Sequence, residues 1–231
     1  MTFAQMNRAG CVTSMIIVAA LCGIVASGVA AVARWPAIQF ELGYAFEYGN
    51  FHGWTSGFAQ DHRQAAHWLG QAARANHPRA QYMLGILHAR GRGVPRDDAQ
   101  AEAWFSRSAS NGYAPACYHL GWMFHKGDGV AREEQSAFRL MQQAAGQGMA
   151  AAHLALGRFH ERGEGVSADA VQALKWYVLA VHFARTRPGL FDNAAFAQPA
   201  QAAQDALAAR LRPSDVEQGR RLARKWLSLL A

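Results

Sequence analysis

The sequence predicts an all-α protein, a solenoid of stacked helix pairs, and two observations carry that prediction. Leu84-Gly85, Leu120-Gly121 and Leu156-Gly157 recur with a period of 36 residues. Each pair is followed at one fixed offset by Gly91-x-Gly93-Val94, Gly127-x-Gly129-Val130 or Gly163-x-Gly165-Val166. A period of roughly 20–50 residues means one supersecondary unit copied along the chain, each copy burying its apolar face on its neighbours. Such arrays work by presenting an extended surface, so function is sought there first.

The elements begin with an apolar run. Residues 1–35 read as a tail and one hydrophobic helix, because Cys11 to Ala33 carries no charged side chain. At about 1.5 Å per residue that helix spans a hydrocarbon core of about 30 Å. Arg8 flanks it before, and Arg34 and Trp35 after, as a membrane helix requires. An uncleaved anchor and a cleaved signal peptide compete here, with a buried soluble helix as a third reading. The signal would use Ala31-x-Ala33 as its small-residue cleavage site, but the apolar stretch exceeds the usual length. Both leading readings place the rest of the chain outside the cytoplasm, on the periplasmic side in a bacterium, if the short N-terminus stays inside. Cleavage would leave a secreted protein. Leu21 before Cys22 excludes a lipoprotein signal.

Residues 36–187 hold about four helix pairs. In the three clear copies, 80–115, 116–151 and 152–187, the first helix begins at Ala80, Ala116 and Ala152. The glycine at 85, 121 and 157 costs about 1 kcal/mol of helix propensity, so its recurrence implies close approach of a partner helix. Gly91, Gly127 and Gly163 sit where a left-handed cap belongs, after Arg90, Lys126 and Arg162. Asp97, Glu133 and Asp169 then open the second helix as caps for its free N–H groups. That helix carries Ala101/Ala137/Ala173, then Trp104/Leu140/Trp176, then Ser108/Ala144/Ala180, and Gly112 or Gly148 turns the chain into the next copy. A looser copy precedes these, with Leu42-Gly43 in its first helix and Asp61, Ala65, Trp68 and Ala72 in its second. Gly43 lies 42 residues before Gly85, which places six extra residues within or near 49–58.

Residues 188–231 read as a loop over 188–199, a helix from about Gln201 to Leu211, and a last helix after Pro213. Ser214-x-x-Glu217 reads as its capping box. Leu222, Trp226 and Leu229 share one face, suited to closing the apolar end of the array.

Composition narrows the function. The chain of 231 residues is 51% hydrophobic and 17% charged, which argues against disorder. A net charge of +7 favours acidic partners or an anionic surface, yet no basic-aromatic cluster points to nucleic acid. Cys117 is the only thiol beyond the apolar run, so the repeats form no internal disulfide.

At these residues the chain resembles the Sel1-like repeat proteins. The pattern Ala-x-x-x-Leu-Gly, then Gly-x-Gly-Val, an acidic residue, Ala, a large aromatic and Ala-Ala is met by 80–112 and 116–148, and largely by 152–181. Leu-Ala-Arg-Lys-Trp-Leu at 222–227 is similar to the tail of bacterial members. The resemblance implies a right-handed α/α solenoid, similar to tetratricopeptide arrays, that acts as an adaptor or scaffold. A disulfide-rich branch with proposed β-lactamase-like activity has a cysteine pair in each repeat, which this chain lacks.

In related solenoids the first helices line the concave side. By that analogy the partner-binding side chains are Tyr82, Ile86, Ala89 and Arg90, then Tyr118, Trp122, His125 and Lys126, then Leu154, Arg158, Glu161 and Arg162. Trp122 stands out because its counterparts are Ile86 and Arg158: a residue that varies between copies is freer to make contacts. A gap-filling role for Trp122 is the competing reading. Ten histidines invite a metal site, but no His-Glu-x-x-His occurs, and His119 and His125, or His62 and His67, are badly spaced for one helical face. No phosphate-cradling loop is present, because the Gly-x-Gly-Val turns are helix ends. No cofactor, metal or catalysis is expected. The leading expectation is a membrane-tethered scaffold, held by residues 11–33, that binds a protein or peptide in the cell envelope. The alternatives are an envelope enzyme or polymer-binding protein acting on cell-wall material, and a structural role through self-association.

Overall fold

The computed structural model describes residues 35–49 and 59–229; the apolar run 11–33 and most of the insertion near 49–58 lie outside them. Ten α-helices follow one another: α1 Pro36–Tyr48, α2 His62–Arg74, α3 Pro78–Arg90, α4 Asp98–Ser110, α5 Ala114–Lys126, α6 Glu134–Gly146, α7 Ala150–Arg162, α8 Ala170–Thr186, α9 Ala197–Ala208 and α10 Pro213–Ser228. A 3₁₀ turn, Asn193–Phe196, precedes α9. No strand and no helix long and apolar enough to cross a membrane occurs among the described residues. The described residues fall into two compact units, one ending at Trp104 and one beginning at Phe105.

The first helices start two residues earlier than their recurring alanines suggest, at Pro78, Ala114 and Ala150. Proline explains two of the three. Pro78 opens α3 and Pro115 lies in the first turn of α5, where the missing N–H is no loss and the fixed φ suits the helix. The ends match the expectation. Gly91, Gly127 and Gly163 adopt φ of 64°, 77° and 74°. The N–H groups of Asp128 and Glu164 reach back to the carbonyls of Met123 and Phe159 at 3.1 and 3.0 Å.

Asp61, Asp97 and Asp169 cap the second helices with side-chain bonds of about 2.9–3.1 Å to backbone N–H groups. Glu133 departs from this. Its carboxylate makes no cap bond to α6 and instead accepts from the Ser136 hydroxyl at 2.8 Å. The extra methylene removes Glu from the short side chains that fit the cap.

Unit 1 packs Phe40, Leu69, Leu84, Leu87 and Trp104 in one core. A Cβ on Gly43 would sit 2.6 Å from Leu69 Cγ and 2.9 Å from Leu69 N, so α1 and α2 touch where the recurring glycine predicts. The insertion leaves the copy intact: Asp61 N–H bonds Phe46 O at 3.0 Å, the same pair as Asp97 N–H and His88 O at 3.1 Å.

Unit 2 has its main core in Leu154, Leu174, Tyr177, Val181, Ala200 and Leu207, which joins α9 to α7 and α8. Residues 188–199 are less of a loop than their Pro and Gly suggest. The 3₁₀ turn and the start of α9 fill 193–199, with Pro199 in the first helical turn, where it breaks no bond. Asn193 is fully buried: its Oδ1 accepts from Ala150 N–H at 2.8 Å, and its Nδ2 donates to Gly148 O at 2.9 Å and Arg187 O at 3.2 Å. The capping box of α10 does not form. Pro213 is the first helical residue and Arg212 the cap, so Ser214 lies inside the helix and Glu217 pairs with Arg224. The inward stripe is Gly219, Ala223 and Trp226, while Leu229 is 76% exposed.

Candidate functional site

The residues expected on the first-helix face divide between the two units. In unit 1, Tyr82 and Ile86 are half-buried against the core and Arg90 is exposed. Matching Gly43 to Gly85 adds three residues to the expected set: Phe40, Tyr44 and Tyr48 are the counterparts of Tyr82, Ile86 and Arg90. They form a ladder along α1, with ring centroids 6.0 Å apart for Phe40–Tyr44 and 4.6 Å for Tyr44–Tyr48. The Arg79 guanidinium lies 4.7 Å over the Phe40 ring. Tyr48 is 49% exposed, and partial burial together with the Tyr44 and Glu47 charges raises its phenol pKa.

In unit 2 the face centres on Trp122. Tyr118, one turn earlier, meets its indole edge-on at 6.1 Å, and His125 does so at 5.2 Å. The indole rests on the ring of Phe159 in α7 at 6.2 Å, and the Lys126 ammonium stands 6.0 Å from its centroid. Trp122 is half-buried, with one side packed and the rest open. His125 sits 5.0 Å from Phe159 and its Nε2 is 3.9 Å from a Glu164 oxygen. His119 turns away to stack on Phe105 at 5.2 Å, so His119 and His125 occupy different faces, as their spacing implies.

The fourth copy contributes less than expected. Leu154 is 4% exposed and belongs to the core shared with α9, so it packs rather than presents. Glu161 is also committed: it accepts from the Tyr177 hydroxyl at 2.6 Å and pairs with Arg210 beyond α9. Burial pushes the Glu161 carboxyl up, but these two donors outweigh it and hold its pKa low. Burial and the Glu161 carboxylate push the Tyr177 phenol well up. Arg158 and Arg162 remain exposed, the latter 3.6 Å from Glu164. Of the expected residues in this unit, Lys126, Arg158 and Arg162 are exposed and Tyr118 and Trp122 half-buried, whereas Leu154 and Glu161 are taken up by packing and pairing.

Cys117 is buried, and that burial raises its thiol pKa. No group of three or more His, Cys, Asp or Glu among the described residues is placed to hold a metal ion.

A family model described as the Sel1 repeat matches residues 36–77, 78–113, 114–149, 150–181 and 201–231. The fifth match falls on α9 and α10, beyond the four helix pairs expected from the sequence. Among solved structures, the chain is similar to a Sel1 repeat protein from Oxalobacter formigenes, at 25% identity over 85% of this chain and 87% of that one, with a TM-score of 0.61. It is also similar to c5321, a protective antigen of uropathogenic Escherichia coli displaying an SLR fold, at 25% identity, 87% and 47% coverage and a TM-score of 0.48. No curated protein matches the chain significantly.

Proposed function

The chain belongs to the Sel1 repeat family, whose members are protein-interaction scaffolds, and on that premise we propose that it is a membrane-tethered adaptor holding a protein or peptide of the cell envelope. Residues 11–33 supply the tether in this reading, and the repeats stand outside the cytoplasm. The first-helix face is the binding surface. The observation that carries this assignment is Trp122, a partly open indole flanked by Tyr118 and Lys126 at a position filled by Ile86 and Arg158 in the neighbouring copies.

A photo-crosslinking residue at Arg158, compared with one at exposed Arg139 on α6, tests the face. The same protein should be captured from position 158 and not from 139. Trp122→Ala and Trp122→Arg, the second borrowing the residue of the next copy, should abolish that capture without changing the circular dichroism. Equal capture from both positions, or capture indifferent to both substitutions, removes the assignment. Fractionation with and without residues 11–33 tests the tether: a chain that leaves the membrane fraction only when the segment is deleted supports it.

A further inference from the structure

A cleft of about 580 Å³ opens in unit 2 on the side of the second helices, away from Trp122. Its floor is Cys117 and Leu120 of α5, and its walls are Ser106, Ala109 and Ser110 of α4, Leu140 and Gln143 of α6, and Gln147 just past the end of α6. No charged side chain lines it.

The period of 36 says what this space is. The counterparts of Cys117, Leu140 and Gln147 one copy later are His153, Trp176 and Phe183. There the same place is filled. The Phe183 ring stacks on His153 at 4.8 Å and 25°, and Trp176 lies 5.8 Å from His153. A Cβ built on Gly148 would meet the Phe183 ring at 3.2 Å, whereas one on its counterpart Gly112 meets nothing within 4 Å. A further indole, Trp226 of α10, covers the filled seat, 5.5 Å from His153 and 5.9 Å from Phe183. Trp68 and Trp104 stand at the Leu140 position in the first two copies, so the third copy is the exception. One seat is thus closed by its own aromatic rings, and the equivalent seat is open because its three residues are a thiol, a leucine and an amide.

We propose that the cleft between α4, α5 and α6 is a second binding site, which takes an uncharged aromatic side chain, an indole or phenol, presented by a partner protein. The rings that fill the next copy define the shape of the occupant. Its polarity follows from the walls, where the Ser110 hydroxyl donates to Ser106 O at 2.9 Å and the Gln147 amide to Gly112 O at 2.8 Å, over an apolar floor with no charge to pair with an ion. Trp122 does not line this cleft, so either site stands without the other.

Indole and N-acetyl-tryptophanamide, titrated into the full-length chain while the methyl resonances of Leu120 are followed, test this. Saturable shifts with a dissociation constant of about 1 mM are expected, the strength of a small fragment in one pocket. Gln147→Phe and Leu140→Trp restore the side chains of the filled copy, and each should abolish the saturable shift while leaving the chain folded. Trp122→Ala should leave it unchanged. Absence of saturable binding to the unaltered chain overturns the proposal, as does binding that survives both filling substitutions.

Discussion

Glu47 accepts a hydrogen bond from Arg92 at 3.2 Å, joining the first helix of one copy to the Gly-x-Gly-Val turn of the next. With the six-residue insertion allowed for, His125 and Glu164 are the same pair of positions, 3.9 Å apart, with acid and base exchanged. Each unit therefore makes this contact once, with its polarity reversed, while the intervening pair of positions holds Ala89 and Asp128. Glu47 is 3% exposed and its second oxygen meets His62 Nδ1 at 2.8 Å, so both oxygens have partners.

Unequal costs follow for the two ends of that bond. Glu47→Ala strips both partners from a buried site and should lower stability by about 2–4 kcal/mol. Arg92→Ala removes a side chain that is 43% exposed and leaves Glu47 with His62, so it should cost about 1 kcal/mol. Urea unfolding followed by circular dichroism checks the order. Equal midpoints for the two variants would show that the carboxylate is not the anchor.

The recurring glycine of the first helix makes its own prediction. A Cβ at Gly157 would lie 2.2 Å from the Tyr177 ring, which is itself fixed by its bond to Glu161, so the ring has no room to yield. Gly157→Ala should cost about 1–3 kcal/mol by overpacking. Gly146, the last residue of α6, has nothing within 4 Å of the same added atom. Gly146→Ala should be neutral or stabilise by about 0.5 kcal/mol. In thermal melts Gly157→Ala should unfold at a lower temperature than the unaltered chain and Gly146→Ala should not.

The second-helix caps predict a contrast of the same kind. Asp169 bonds the N–H groups of Val171 and Gln172, and Asp169→Ala should cost about 1 kcal/mol. Glu133 occupies the same position without a cap bond, so Glu133→Ala should change stability by less than about 0.5 kcal/mol. Glu133→Asp should raise the melting temperature, because the shorter side chain can reach the free N–H groups.

The helix pairs were legible because their determinants are local. Capping glycines, opening aspartates and the interhelical glycine each act within one copy and recur with the period. What escaped the sequence depends on partners outside that frame. Leu154 reads as a surface residue by analogy with Tyr82 and Tyr118, yet α9 joins the core around it. Arg210, which engages Glu161, lies 49 residues further on, outside the three aligned copies. The Phe40–Tyr44–Tyr48 ladder is legible through Gly43, which aligns with Gly85, once the expected face is extended from the three regular copies to the first. Leu140 was read as a large residue equivalent to Trp104 and Trp176, which hid the space that the smaller side chain leaves.

His153 makes acid the test of the C-terminal packing. It is fully buried, its Nδ1 lies 2.9 Å from Met149 O, and its Nε2 has no partner among the rings of Trp176, Phe183 and Trp226. Burial dominates and lowers its pKa to about 4, with the Lys175 and His182 charges acting in the same direction and the Met149 carbonyl opposing them. The unfolded chain takes up this proton near pH 6.5, so it binds more protons than the folded chain between that pH and about 4. Stability from this residue is present above about pH 6.5 and is lost as the pH falls toward 4, up to about 3 kcal/mol in all. His153→Leu should remove that part of the acid sensitivity, so the unaltered chain loses stability relative to the variant as the pH is lowered. Denaturant unfolding of both chains across pH 7.5 to 4.5 measures the difference. Parallel curves would mean that the imidazole is charged, or solvated, inside the folded protein.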